Sequence, residues 1–217
     1  MRKDFSKIKL YKNSELYSKE WEISIKLEAL TEMIKYDNKS ILNIKSNFEI
    51  FKNKIKSQSI DNKEIEQAED YLIDRELIVK DLESHKRYSS CLLIFSVLEN
   101  ILSDLCNNPN INYLKHKNEY KGKDDFVIYK KLLKEKYSIS FKNSEPNFTK
   151  IKQQKIIRNY IAHKGGIVDE KIKSITLNKE VLIKGNKIEI TENFLLYLMK
   201  ETKELLKKIL WEIDKKL

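Results

Sequence analysis

Along most of this chain apolar residues recur every three to four positions, the spacing that lines one face of an α-helix. In residues 15–36 they are Trp21, Ile23, Leu27, Leu30 and Ile34, and in residues 40–56 they are Ile41, Ile44, Phe48, Phe51 and Ile55. Asp37-Asn38-Lys39-Ser40 between them reads as a turn and cap, which predicts an N-terminal helical pair. The alternation from Trp21 to Leu27 is also compatible with a strand, because short apolar runs fit both periods. From Asp61 to Cys106 there is neither Pro nor Gly, so this stretch predicts one very long helix, or two separated by a kink near Ser84-His85. Cys91 through Leu98 is apolar on most sides and must be surrounded by other helices or by a second subunit. Asn107-Asn108-Pro109-Asn110 ends it.

Residues 124–137, with Phe126, Tyr129, Leu132 and Leu133, predict a shorter helix. Pro146 suits the first turn of another that runs to His163, with Phe148, Ile151, Ile156, Ile157, Tyr160 and Ile161 on its buried side. Gly165 and Gly166 stop it, because glycine accepts the left-handed geometry common at a helix C-terminus. Ile175–Leu177, Val181–Ile183 and Lys187–Ile190, set around Lys184-Gly185-Asn186, predict a small β excursion. Thr191 then caps a last helix carrying Phe194, Leu198, Leu205, Ile209 and Ile213. The expected fold class is mainly α: a helical bundle over residues 61–217, an N-terminal helical extension over residues 1–60, and the β excursion before the last helix.

Composition narrows the chemistry. A formal charge of +10 suits a polyanion such as RNA, since clustered cations gain affinity by releasing condensed counterions. A chain so rich in Lys, Ile and Asn fits an AT-rich genome equally well. Cys91 and Cys106 would lie about 22 Å apart on one helix, too far for a disulfide, and read as buried hydrophobes in a reducing compartment. With His85, His116 and His163 scattered, no zinc-like spacing arises, and no metal or cofactor is expected. The first residues lack the apolar core of a signal peptide, and no run approaches the roughly 18 apolar residues of a span. A cytoplasmic protein with no membrane partner is the expectation.

The sharpest chemical pattern is Arg158-Asn159-Tyr160-Ile161-Ala162-His163, followed at once by Lys164-Gly165-Gly166. It holds one of only four arginines and one of only three histidines. Histidine side chains titrate near neutrality and suit proton transfer, whereas a guanidinium keeps its charge and offers phosphate oxygens a planar fork of donors. Asn159 can hydrogen-bond a phosphate or the imidazole. At about 100° per residue Arg158 and His163 point roughly 140° apart, while Asn159 and His163 share a face. Arginine and histidine therefore converge only if the helix unwinds at His163 or if two copies of the motif meet across a dimer.

The motif resembles the arginine, four-to-six residues, histidine signature of HEPN-domain proteins, many of which are metal-independent RNases. Arg158 and His163 match that arginine and histidine at the shortest usual spacing, and Asn159 matches the polar residue often found after the arginine. Chance predicts about 0.17 matches to the bare spacing, and about 0.014 once Asn159 is required, so the asparagine carries most of the specificity. More loosely, Arg87-Tyr88-Ser89-Ser90 through Glu99-Asn100-Ile101-Leu102 is similar to the family's long early core helix, with Glu99 as its isolated acid and a candidate support for Arg158 or His163. The resemblance covers about residues 62–216. It implies a homodimer whose paired motifs line a cleft, RNA as substrate, and an antitoxin or other regulatory protein as a further partner. Gly165 stands where some members carry a modifiable tyrosine, which departs from that mode of control. Two other readings remain: a non-catalytic HEPN-like binding or assembly module, and a helical adaptor that recruits a partner through residues 15–56. Tyr160 reads as core, Ala162 as a place for helices to approach closely, and His85 and His116 as surface residues.

Overall fold

Residues 14–58 contain neither glycine nor proline, and their Glu, Lys and Leu are good helix formers. In the computed structural model, which describes residues 11–58, 62–107, 124–169, 172 and 180–217, they form one helix, α1 (Ser14–Gln58). The expected pair of helices is thereby corrected to one, and the strand alternative at Trp21–Leu27 falls with it. Leu27, Leu30, Ile34 and Ile41 are all buried, so the apolar stripe passes straight through the polar tetrapeptide. Asp37, read as a cap, instead takes Lys86 Nζ at 2.9 Å. Burial on both sides outweighs a propensity penalty of a few tenths of a kcal/mol per polar residue. The cap of α1 is Asn13, whose Oδ1 accepts from Glu15 N at 2.8 Å and Leu16 N at 3.3 Å.

The second helix, α2 (Asn62–Cys106), takes the single-helix alternative, unbroken at Ser84-His85. An 18-residue window within Glu66–Cys106 is long and apolar enough, by length and composition, to cross a membrane, which qualifies the sequence reading; half of that window is buried in the structure. Next comes α3 (Asp125–Tyr137), capped by Asp124, whose side chain accepts from Phe126 N at 2.8 Å. It is followed by α4 (Glu145–Lys164), with Pro146 in its first turn as expected. The antiparallel pair β1 (Val181–Lys184) and β2 (Lys187–Ile190) turns at Gly185-Asn186, with Lys184 opposite Lys187. The last helix, α5 (Glu192–Asp214), starts from Thr191, whose Oγ1 accepts from Phe194 N at 3.1 Å. The apolar piece Ile175–Leu177 and His116 lie outside the described residues.

The chain forms two compact units. One draws on residues 1–29, 94–156 and 197–217, and the other on residues 30–93 and 157–196, so α1, α2, α4 and α5 each contribute to both. The first unit is built on an edge-to-face series of rings: Phe95 to Phe126 at 6.4 Å, Phe126 to Phe148 at 5.7 Å, and Phe148 to Phe141 at 6.0 Å. Phe141 has φ 62°, a conformation costly for a bulky side chain, and needs an outside constraint to hold it. Glu212 of α5 supplies one. Its buried carboxylate accepts from Phe141 N at 2.7 Å, Asn143 N at 3.1 Å, Ser144 N at 3.2 Å and Ser144 Oγ at 3.1 Å. A charge from one helix thus satisfies the amides that lead into another, where the dipole also favours an anion. Glu212→Ala should lower the unfolding free energy by about 2–4 kcal/mol and Glu212→Gln by clearly less, as measured by denaturant titration.

Candidate functional site

Everything at the end of α4 depends on how the helix stops. Helical geometry persists through Lys164, after which Gly165 (φ 57°) and Gly166 (φ 82°) turn the chain. Gly166 N donates to Tyr160 O and Ile167 N to Lys164 O, both at 3.0 Å, which satisfies carbonyls that a helix end leaves open. Gly166 O then accepts from Ile188 N at 2.9 Å, Val168 N donates to Asn186 O at 2.7 Å, and Ile167 bridges to Lys187. The segment after the helix is therefore laid along the hairpin.

Gly166 is constrained twice. Besides its positive φ, a Cβ there would fall 2.2 Å from Tyr88 Oη and 2.7 Å from Tyr88 Cζ, whereas at Gly165 a Cβ would meet open space. Tyr88 cannot easily yield. It is buried and donates its hydroxyl to Ile188 O. Its neighbour Arg87 donates to Ile190 O at 2.8 Å and pairs with Glu83 at 2.8 Å. The second unit thus ties α2 to the hairpin, and the hairpin to the end of α4.

On this support sit the motif residues. Arg158 Nη1 donates to Asn159 Oδ1 at 3.2 Å, with both side chains half-buried. Its positive charge also acts on Cys91, whose thiol burial pushes up to about 12 while Arg158 draws it back in part. His163 is exposed in the last turn. Because the helix is intact beyond His163, convergence by unwinding is not the arrangement adopted. Asn159 and His163 lie about 40° apart around the helix, and the bond to Asn159 draws the guanidinium toward that shared face. Exposed Ala162, one turn after Arg158, leaves this flank open.

Just beyond this face, further round the helix, lie Tyr160 and Lys164. Tyr160, expected in the core, is half-buried and donates its hydroxyl to Asp169 Oδ1 at 2.5 Å. Lys164 Nζ reaches Asp169 Oδ2 at 2.6 Å and lies 4.6 Å from the centre of the Tyr160 ring. Hydrogen bonds from Lys164 first, and then Tyr160, hold the Asp169 carboxyl well below the usual carboxylate range. The spacing Tyr160 to Lys164 was visible in the sequence; the return of Asp169 across the double-glycine stop was not.

Glu99, the candidate support, belongs to the first unit, where it lies 3.9 Å from Lys155. That buried ammonium also pairs with Asp124 at 3.1 Å. His85 is exposed, as expected. Among the described residues, no group of three or more His, Cys, Asp or Glu is placed to hold a metal ion. A cavity of about 630 Å³ in the second unit is lined by Lys45, Phe48, Lys52, Val79 and Arg87 of α1 and α2 and by Ile190, and not by the motif. Many of its charges are already compensated, as where Glu83 takes both Lys45 at 2.5 Å and Arg87 at 2.8 Å. Comparison with protein families, curated proteins and solved structures gives no match for this chain.

Two outcomes follow from the support of the site. Gly166→Ala should destabilise by about 2–4 kcal/mol and Gly165→Ala by about 1 kcal/mol, the difference measuring the Tyr88 contact in paired denaturation curves. Burial raises Cys91, Cys106 and Tyr88 to about 12 each, so the folded chain keeps protons that the unfolded chain releases. Stability should be complete below about pH 9 and fall as pH rises from there toward 12, which denaturant midpoints across that range will show.

Proposed function

We propose that this protein is a metal-independent endoribonuclease of the HEPN type that acts as a homodimer. The observation that carries the reading is the Arg158 to Asn159 bond at the end of an intact helix, with exposed His163 on the face of Asn159. These groups supply what cleavage by the RNA's own 2′-hydroxyl requires. An imidazole removes the 2′-hydroxyl proton, the 2′-oxygen attacks phosphorus, and the bond to the 5′-oxygen breaks. A second proton donor delivers a proton to that leaving oxygen, giving a 2′,3′-cyclic phosphate and a 5′-hydroxyl end. Arg158 stabilises the charge on the five-coordinate phosphorus, and Asn159 holds the guanidinium or a phosphate oxygen.

One helix offers one histidine, and Arg158 and His163 start about 140° apart around it. A second copy of the motif, facing the first across a two-fold axis, supplies the other imidazole and closes the gap. The cytoplasm is the compartment where such an enzyme meets its RNA. By resemblance, the biological setting is a toxin–antitoxin or anti-phage system, with an antitoxin or regulatory protein restraining the enzyme.

One observation favours a second reading, a non-catalytic HEPN-like helical module. Arg158 is half-buried and hydrogen-bonded to its helix neighbour Asn159, as a side chain held within its own unit would be. Activity separates the two. Purified wild type should cleave total RNA in the presence of a chelator and leave cyclic phosphate ends. His163→Ala should lose at least about a hundredfold of that rate while keeping its thermal midpoint. Arg158→Ala should lose comparable activity. Cleavage that the chelator stops, or that survives in His163→Ala, would remove this mechanism.

A further inference from the structure

The end of α4 carries two donors aimed at one anion. Tyr160 Oη and Lys164 Nζ approach the two oxygens of the Asp169 carboxylate at 2.5 Å and 2.6 Å. The Lys164 ammonium also rests over the Tyr160 ring at 4.6 Å, so the two side chains are packed into a fork. A carboxylate and a phosphodiester present the same feature to such a fork: a pair of acceptor oxygens on one centre, sharing a single negative charge. On the helix, Tyr160 and Lys164 lie about 60° and 100° beyond His163, next to the face that His163 shares with Asn159. The backbone here is the negative end of the helix dipole, so any phosphate bound at this spot must be held by side chains.

We propose that Tyr160 and Lys164 form a phosphate subsite for the strand flanking the scissile bond, and that the chain's own Asp169 occupies it until RNA displaces the carboxylate. This deepens the ribonuclease reading and rests on it. Asp169 is well placed as an internal competitor. It follows the double-glycine turn, so it folds back onto the helix it has just left, and its Oδ1 also accepts from Ile172 N at 3.3 Å, which keeps the carboxylate on its own segment once the fork lets go. The Lys164–Asp169 ion pair joins two exposed side chains, so water and salt weaken it and a polyanion that releases counterions outcompetes it. The subsite would bind RNA backbone without reading its sequence, and Asp169 would set a threshold on affinity.

The test is fluorescence anisotropy with a 2′-O-methyl oligoribonucleotide, which binds but has no 2′-hydroxyl to attack. Asp169→Asn should tighten binding about three- to fivefold, and Lys164→Ala should weaken it. In Lys164→Ala the gain from Asp169→Asn should disappear, because no fork remains to be freed. Asp81→Asn is the control for net charge: Asp81 is also exposed, lies in the same unit and pairs with Lys187 at 3.3 Å. It should give at most a small gain, and that gain should persist without Lys164. The subsite is overturned if Asp169→Asn behaves like Asp81→Asn, if its gain survives in Lys164→Ala, or if it lowers the thermal midpoint without tightening binding. Binding that shows no such coupling removes the subsite alone and leaves the cleavage reading in place. Failure of wild type and every variant to bind removes both.

Discussion

The second unit turns on the close contact between the backbone of Gly166 and the ring of Tyr88. No other residue type fits there, since the backbone is left-handed and a Cβ would lie 2.2 Å from the tyrosine oxygen. The contact has reach because both partners are engaged on β2: Tyr88 through Ile188 O, and Gly166 through Ile188 N. One residue of the hairpin therefore fixes where α2 passes and where α4 ends. His163, Lys164 and the returning Asp169 take their positions from that stop.

A histidine on a frayed helix end would sample many directions, and little of its chemistry would be organised in advance. Here the last turn is held by bonds from Gly166 N and Ile167 N to carbonyls of the helix, and the strand-like segment beyond it is docked. The exposed side chains gain a rigid base while remaining open to solvent. The roughly 630 Å³ cavity between α1, α2 and the hairpin is a different kind of surface, since many of its charges are already spent on one another.

In the first unit a comparable part is played by Glu212, which ties α5 to the turn before α4. Both devices do the same physical work. A polar backbone group that must be buried is given a partner from a distant part of the chain, and the element it belongs to is thereby placed. Lys155 follows the rule for a charge: it is buried, and it is surrounded by Glu99, Asp124 and Asp125.

The amino-acid pattern determined the helices at α2 through α5, the hairpin turn at Gly185-Asn186 and the caps at Asp124 and Thr191 were equally local, and the double glycine marked the end of α4. These depend on periodicity, on glycine's freedom and on side chains that reach only two or three residues. The same pattern misjudged residues 37–40, because local capping preferences count for little when buried Ile34 and Ile41 lie on either side and Asp37 finds Lys86. Of the candidate site, Arg158, Asn159 and His163 were legible as a motif, and their angular conflict was legible too. Tertiary structure alone decided that the helix stays wound past His163, that Gly166 is pressed on Tyr88, and that Asp169 closes on Tyr160 and Lys164. Each is a contact between segments that no period or local preference links, so only the folded packing could select it.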